Sequence, residues 1–81
     1  MIIIDSNVWI FSENATADEH KVAAHAVYKV VGQTAFGINA IIVSEVFHAL
    51  SRLLGQDDAA RRTLNILEHP SAEWLAFSVP T

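Results

Sequence analysis

Met1-Ile2-Ile3-Ile4-Asp5-Ser6-Asn7-Val8-Trp9-Ile10 opens the chain, and its first half decides the fold class. Three consecutive β-branched isoleucines form an apolar run without the polar alternation of a half-solvated strand. Such a run reads as a strand buried on both faces, as in a parallel sheet. Asp5-Ser6-Asn7 breaks it, and Val8-Trp9-Ile10-Phe11 reads as a short helical turn. Thr16-Ala17-Asp18-Glu19 fits a capping box, with the Thr16 hydroxyl on the Glu19 amide and the Glu19 carboxylate on the Thr16 amide. Val22, Ala23, Ala26, Val27, Val30 and Val31 then recur at helical spacing, and Gly32 supplies a stop, so a helix is expected over 17–31.

Ala35-Phe36-Gly37-Ile38 reads as a second strand, weakened by its glycine. A second amphipathic helix is expected over 40–54. Its broad apolar face holds Ile42, Val43, Val46, Phe47, Ala49, Leu50, Leu53 and Leu54, opposite Ser44, Glu45, His48, Ser51 and Arg52. Gly55 ends it. Asp57 can cap a third helix carrying Ala60, Leu64 and Leu67, which Pro70 stops. A last strand over 74–79 alternates Leu75, Phe77 and Val79 against Trp74, Ala76 and Ser78, and Pro80 closes it. Strand, helix, strand, helices, strand is the order of an α/β domain with a parallel sheet. If the strands are added in one direction, right-handed crossovers put every helix on one face. The opposite face is then bare and one edge unpaired, so the core is expected to be incomplete or to be finished by another chain.

The 81 residues make one domain at most. Hydrophobic residues are 52% and charged residues 17%, which excludes an intrinsically disordered chain. The net charge of −4 argues against a basic, phosphate-neutralising nucleic-acid binder. It leaves open a protein whose carboxylates hold a metal that meets the phosphate. With no cysteine there is no disulfide framework, thiol nucleophile or Cys-ligated zinc. No stretch approaches the roughly 18 apolar residues of a membrane helix, and no basic segment precedes Asp5 as in a signal peptide. A soluble, cytoplasmic protein without membrane partners is the expectation.

Two acids carry the chemistry. Asp5 follows a buried parallel strand directly and so stands at that strand's carboxyl end, where ligands bind in open α/β sheets. Ser6 or Asn7 can hydrogen-bond it or its ligand. The competing structural role is capping of the next helix by Asp5, with Asn7 in a turn. Glu45, in Ile41-Ile42-Val43-Ser44-Glu45-Val46-Phe47, lies in the first turn or two of the second helix, near the favourable end of its macrodipole. That helix follows a strand, so Asp5 and Glu45 can converge at one sheet edge. Hard oxygen ligands of this kind suit Mg2+ or Mn2+. The competing role for Glu45 is a solvated stripe with His48 and Arg52. Glu45-x-x-His48 alone is no di-iron site, which needs a second such pair. His20 and His25 are expected to face solvent, His69 to lie in a loop, and Arg52, Arg61 and Arg62 to form a solvated face or meet RNA phosphate.

These residues resemble a known family. Ile2-Ile3-Ile4-Asp5-Ser6-Asn7-Val8-Trp9-Ile10 and Ile42-Val43-Ser44-Glu45-Val46-Phe47-His48-Ala49-Leu50 are similar to the first two acidic motifs of PIN domains, whose small members include the VapC-type toxins of prokaryotic toxin–antitoxin pairs. The resemblance implies a three-layer α/β/α domain with a parallel sheet, with residues 1–81 a partial PIN-like domain incomplete at the carboxyl end. It implies a metal-dependent endoribonuclease, a hydrolase in which Asp5 and Glu45 are the catalytic metal ligands, for Mg2+ or Mn2+, and Ser6 and Asn7 are polar support. The further family acids lie beyond the third strand, and Asp57 and Asp58 do not match them. The implied partners are single-stranded or structured RNA, an antitoxin protein and a second copy in a homodimer. The alternative is a non-catalytic PIN-like interaction module that binds a partner chain through exposed apolar surface.

Overall fold

A computed structural model of the chain describes residues 2–75. Their order is β1 (Ile2–Ile3), α1 (Ser6–Glu13), α2 (His20–Val31), β2 (Phe36–Ile38), α3 (Ala40–Leu54), α4 (Gln56–Leu67) and β3 (Ala72–Trp74). The strands form one parallel sheet in the order β1-β2-β3. The α/β class and the parallel sheet are therefore as the sequence predicts. The expected last strand starts two residues earlier than its pattern, and its 76–79 portion lies outside the described residues.

The register explains what the sheet covers. Ile2, Phe36 and Ala72 stand in one row, Ile3, Gly37 and Glu73 in the next, and Ile38 and Trp74 in the third. Paired residues of parallel strands share a face, and successive residues alternate faces. Phe36 and Ile38 are buried in one cluster with Ile4, Trp9, Ile42, Val46, Leu50, Ala59 and Ile66, and Val27, Val30 and Val31 of α2 pack against the same cluster. All four helices thus contribute to one core on one sheet face. On the other row Ile3 is 60% exposed and Glu73 is exposed. This corrects the reading of the isoleucine run as a strand buried on both faces: Ile2 and Ile3 of β1 are exposed and only Ile4, just beyond it, is buried, because β1 is an edge strand with a helix layer on one side. Exposure on this row is at its two edges, since the central Gly37 between Ile3 and Glu73 is buried. The smallest dimension, 19 Å, suits a sheet with one layer of helices about 10 Å across. A second helix layer has no counterpart among the described residues.

Local chemistry sets the helix ends. The Asn39 side chain accepts the Ile42 amide at 2.9 Å and starts α3 where the pattern predicts. Ile42, Val46 and Leu50, one turn apart, are its buried stripe, whereas Leu53 is half exposed. Gly55 ends α3 with φ +91°, a conformation that side-chain-bearing residues avoid, and so separates α3 from α4 without a loop. The start of α4 is Gln56, so Asp57 is not its cap. Asp57 and Asp58 lie in its first turn, where the macrodipole favours them. Its buried face is Ala59, Thr63 and Ile66, rotated one position from the expected Ala60 and Leu64, and Leu64 is half exposed.

The largest boundary error is at α2. It begins at His20, and no capping box forms. Thr16 instead spends its hydroxyl on Asn14 Oδ1 at 2.7 Å, and its amide bonds the same oxygen at 3.3 Å. An Asn side chain competing locally for donors holds 14–17 in a turn. His20 then anchors the helix start: its Nδ1 donates to the Phe11 carbonyl of α1 at 2.9 Å, so this ring is not simply solvent-facing. Val8 to Phe11 is likewise more than a turn, being the middle of the eight-residue α1.

Candidate functional site

Strand order places the carboxyl ends of β1 and β2 side by side, and each leads straight into a helix: β1 through Ile4 and Asp5 into α1, β2 through Asn39 into α3. The candidate residues come from those two junctions. Asp5 is the N-cap residue of α1, with extended backbone (φ −60°, ψ 146°). Its carbonyl accepts the Val8 amide at 3.0 Å and the Trp9 amide at 3.3 Å. Its exposed carboxylate makes no capping bond. The capping role that competes for Asp5 is therefore filled by backbone alone, and its exposed carboxylate is not spent on the helix start. Asn7 lies inside α1 and is exposed, so it forms helix rather than a turn.

Ser6 joins the two motifs. It is 6% exposed, and its Oγ donates to Glu45 Oε1 at 3.3 Å, across 39 residues of chain. That bond is long for O–H···O and therefore weak. It leaves Glu45 Oε2 free of Ser6 and sets the carboxylate next to the residue that follows Asp5. Glu45 is the sixth residue of α3, one turn beyond the orphan amides, so the macrodipole argument for it weakens: that field falls off within the first turn. The polar contact of Glu45 is with Ser6, not with the helix terminus. His48 and Arg52, the other members of the expected stripe, are exposed farther along α3. Glu45 is thus the one residue of that stripe that reaches back to the β1–α1 junction.

The donor set at this edge is two exposed carboxylates and one buried hydroxyl. These are hard oxygen ligands, and Mg2+ is commonly held by one or two carboxylates with its remaining positions taken by water and substrate phosphate. The residues therefore fit such an ion. Among the described residues no three His, Cys, Asp or Glu side chains stand close enough to hold a metal together. Two of the three arginines, Arg61 and Arg62, are engaged elsewhere. Arg62 Nη1 donates to Glu13 Oε2 at 2.7 Å, and Arg61 Nη2 to Asp58 Oδ1 at 2.6 Å. Sequence reasoning missed the Arg62–Glu13 pair, because 49 residues separate its members. It also named Ser6 only as an alternative support. The sole signal for its role is the small polar residue directly after a strand-end acid.

No protein-family model matches the chain, and no curated protein matches it. No helix among the described residues is long and apolar enough to cross a membrane.

Proposed function

We propose that the chain is a metal-dependent endoribonuclease domain of the PIN type, with Asp5 and Glu45 holding Mg2+ or Mn2+ at the carboxyl edge of the sheet. The observation that carries this reading is the Ser6–Glu45 hydrogen bond, which draws the second acidic motif to the first. A three-layer domain, RNA as substrate, an antitoxin as inhibitor and a homodimer belong to the same proposal. In it Asp5 offers a carboxylate without a capping bond, Ser6 contacts Glu45, and Asn7 is an exposed polar side chain in the first turn of α1. The bound metal supplies an activated water and neutralises charge on the phosphodiester under attack.

The test is Mn2+-dependent cleavage of single-stranded RNA, read beside Mn2+ affinity by calorimetry. Asp5→Asn and Glu45→Gln are expected to lower both by about a hundredfold or more, since outer-shell changes alone cost 10–100-fold. Unchanged metal affinity in either variant removes that residue from the site.

A second reading, a non-catalytic module that binds a partner chain, draws on a different observation. Val22 is 77% exposed over an open cavity of about 450 Å3 between α1 and α2, whose floor includes Val8, Phe11 and Ala26. In that reading the acids bind no metal. Mn2+ binding that depends on Asp5 counts against it, and a Val22→Lys variant that alters the sedimentation coefficient counts for it.

A further inference from the structure

The loops entering β2 and β3 lie at the amino ends of those strands, the sheet edge opposite Asp5 and Glu45. There the end of α2 and the loop after α4 border an open cavity of about 400 Å3, lined by Tyr28, Lys29, Val31, Gly32, Gln33 and His69. That volume is in the range of small-ligand sites. None of the candidate metal ligands takes part in it.

Its walls are tied together through Ser71. The Ser71 Oγ donates to the Val31 carbonyl at 3.3 Å, its amide donates to His69 Nδ1 at 3.0 Å, and its carbonyl accepts the Phe36 amide at 2.9 Å. The His69 ring also packs on Phe36, with centroids 5.6 Å apart. Because Nδ1 accepts a hydrogen bond, the neutral ring carries its proton on Nε2, so His69 brings a donor whose orientation is fixed. Tyr28 is 76% exposed and offers an aromatic face. Lys29 adds a cation, and Gln33 adds a donor and an acceptor. The end of a helix repels anions through its free carbonyls. Here three of the last four are bonded: Tyr28 and Val30 accept from the amides of Gly32, Gln33 and Thr34, and Val31 accepts from Ser71.

We propose that this cavity binds an unpaired nucleotide of single-stranded RNA. The base stacks on Tyr28, Gln33 and His69 Nε2 meet its edge, and Lys29 meets its phosphate. Stacking tolerates any base, because every base has a π-face. The choice of RNA rests on the ribonuclease reading, but the residues are separate, and so is the measurement. A labelled oligouridylate of about ten nucleotides, within the span of known single-strand sites, is titrated with the full chain in EDTA and followed by fluorescence anisotropy.

Tyr28→Ala is expected to weaken binding by about tenfold to a hundredfold, while Tyr28→Phe stays within about twofold. Lys29→Gln is expected to flatten the salt dependence by about 0.7 in log–log slope, the contribution of one phosphate contact. Absence of binding by the wild type, or equal binding by Tyr28→Ala, overturns the proposal. Tyr28-dependent binding without metal-dependent cleavage defeats the ribonuclease reading alone. Cleavage with Tyr28-independent binding defeats this one alone.

Discussion

Removing the Ser6 hydroxyl tests the joint between the two acidic motifs with the smallest possible change. Ser6 is buried and its one partner is an exposed, water-accessible carboxylate at 3.3 Å, so little fold stability depends on the bond. Ser6→Ala is expected to cost no more than about 1 kcal/mol in urea unfolding, at the low end for a hydrogen bond. It is expected to lower Mn2+ affinity by about tenfold, the scale of a lost positioning partner. A large stability loss with unchanged metal affinity would make Ser6 a core residue only. The arginines separate in the same way. Arg62 and Glu13 are 34% and 25% exposed and link α4 to the end of α1, whereas Arg61 and Asp58 are mostly solvated and one helical turn apart. Arg62→Ala is expected to cost about 1–2 kcal/mol, between exposed and buried pairs, and Arg61→Ala under about 0.5. Thermal melts at two salt concentrations distinguish them.

At the scale of elements, α3 positions the proposed site, because it alone carries Glu45 from the sheet edge. Its start depends on the Asn39 cap. Asn39→Ala leaves the Ile42 amide without its partner and is expected to cost about 1 kcal/mol, read as a lower denaturation midpoint with unchanged slope. Asn39→Asp keeps the acceptor and is expected to stay close to wild type. The contrast with α2 is instructive. Both helices have a plausible capping residue in sequence, Asn39 and Thr16. Asn39 follows a strand that ties down the chain before it, while Thr16 follows Asn14, whose side chain takes the donors first. A capping motif specifies a helix start only where no nearer acceptor competes.

The whole molecule is a thin α/β body whose stability is concentrated on one side of the sheet. Leu50 and Phe36 are fully buried, at the meeting of α3 with the central strand and the helix layer. Leu50→Ala is expected to cost about 2–5 kcal/mol, much of the stability of a domain this small. Ile3→Ser, on the uncovered row, is expected to cost under about 1 kcal/mol, because little of Ile3 leaves water on folding. Chemical denaturation of the two variants measures the asymmetry. A cost at Ile3 equal to that at Leu50 would mean that the second sheet face is covered in solution.

The sequence by itself determined the α/β class, the parallel sheet and the full extent of α3. Those follow from periodicities and stop signals that act within a few residues: the isoleucine run, the Ile42-Val46-Leu50 stripe and Gly55. It also marked Asp5 and Glu45, since an acid directly after an apolar strand and an acid near the start of a helix after another strand are legible as patterns. Only the tertiary structure decided that β1 is an edge strand, that the buried face of α4 runs through Ala59, Thr63 and Ile66, and that Ser6 reaches Glu45 while Arg62 reaches Glu13. These are contacts between residues far apart in the chain. Nothing in the local sequence fixes which of several available partners each side chain meets, because that choice is made by how the helices pack as a layer on the sheet.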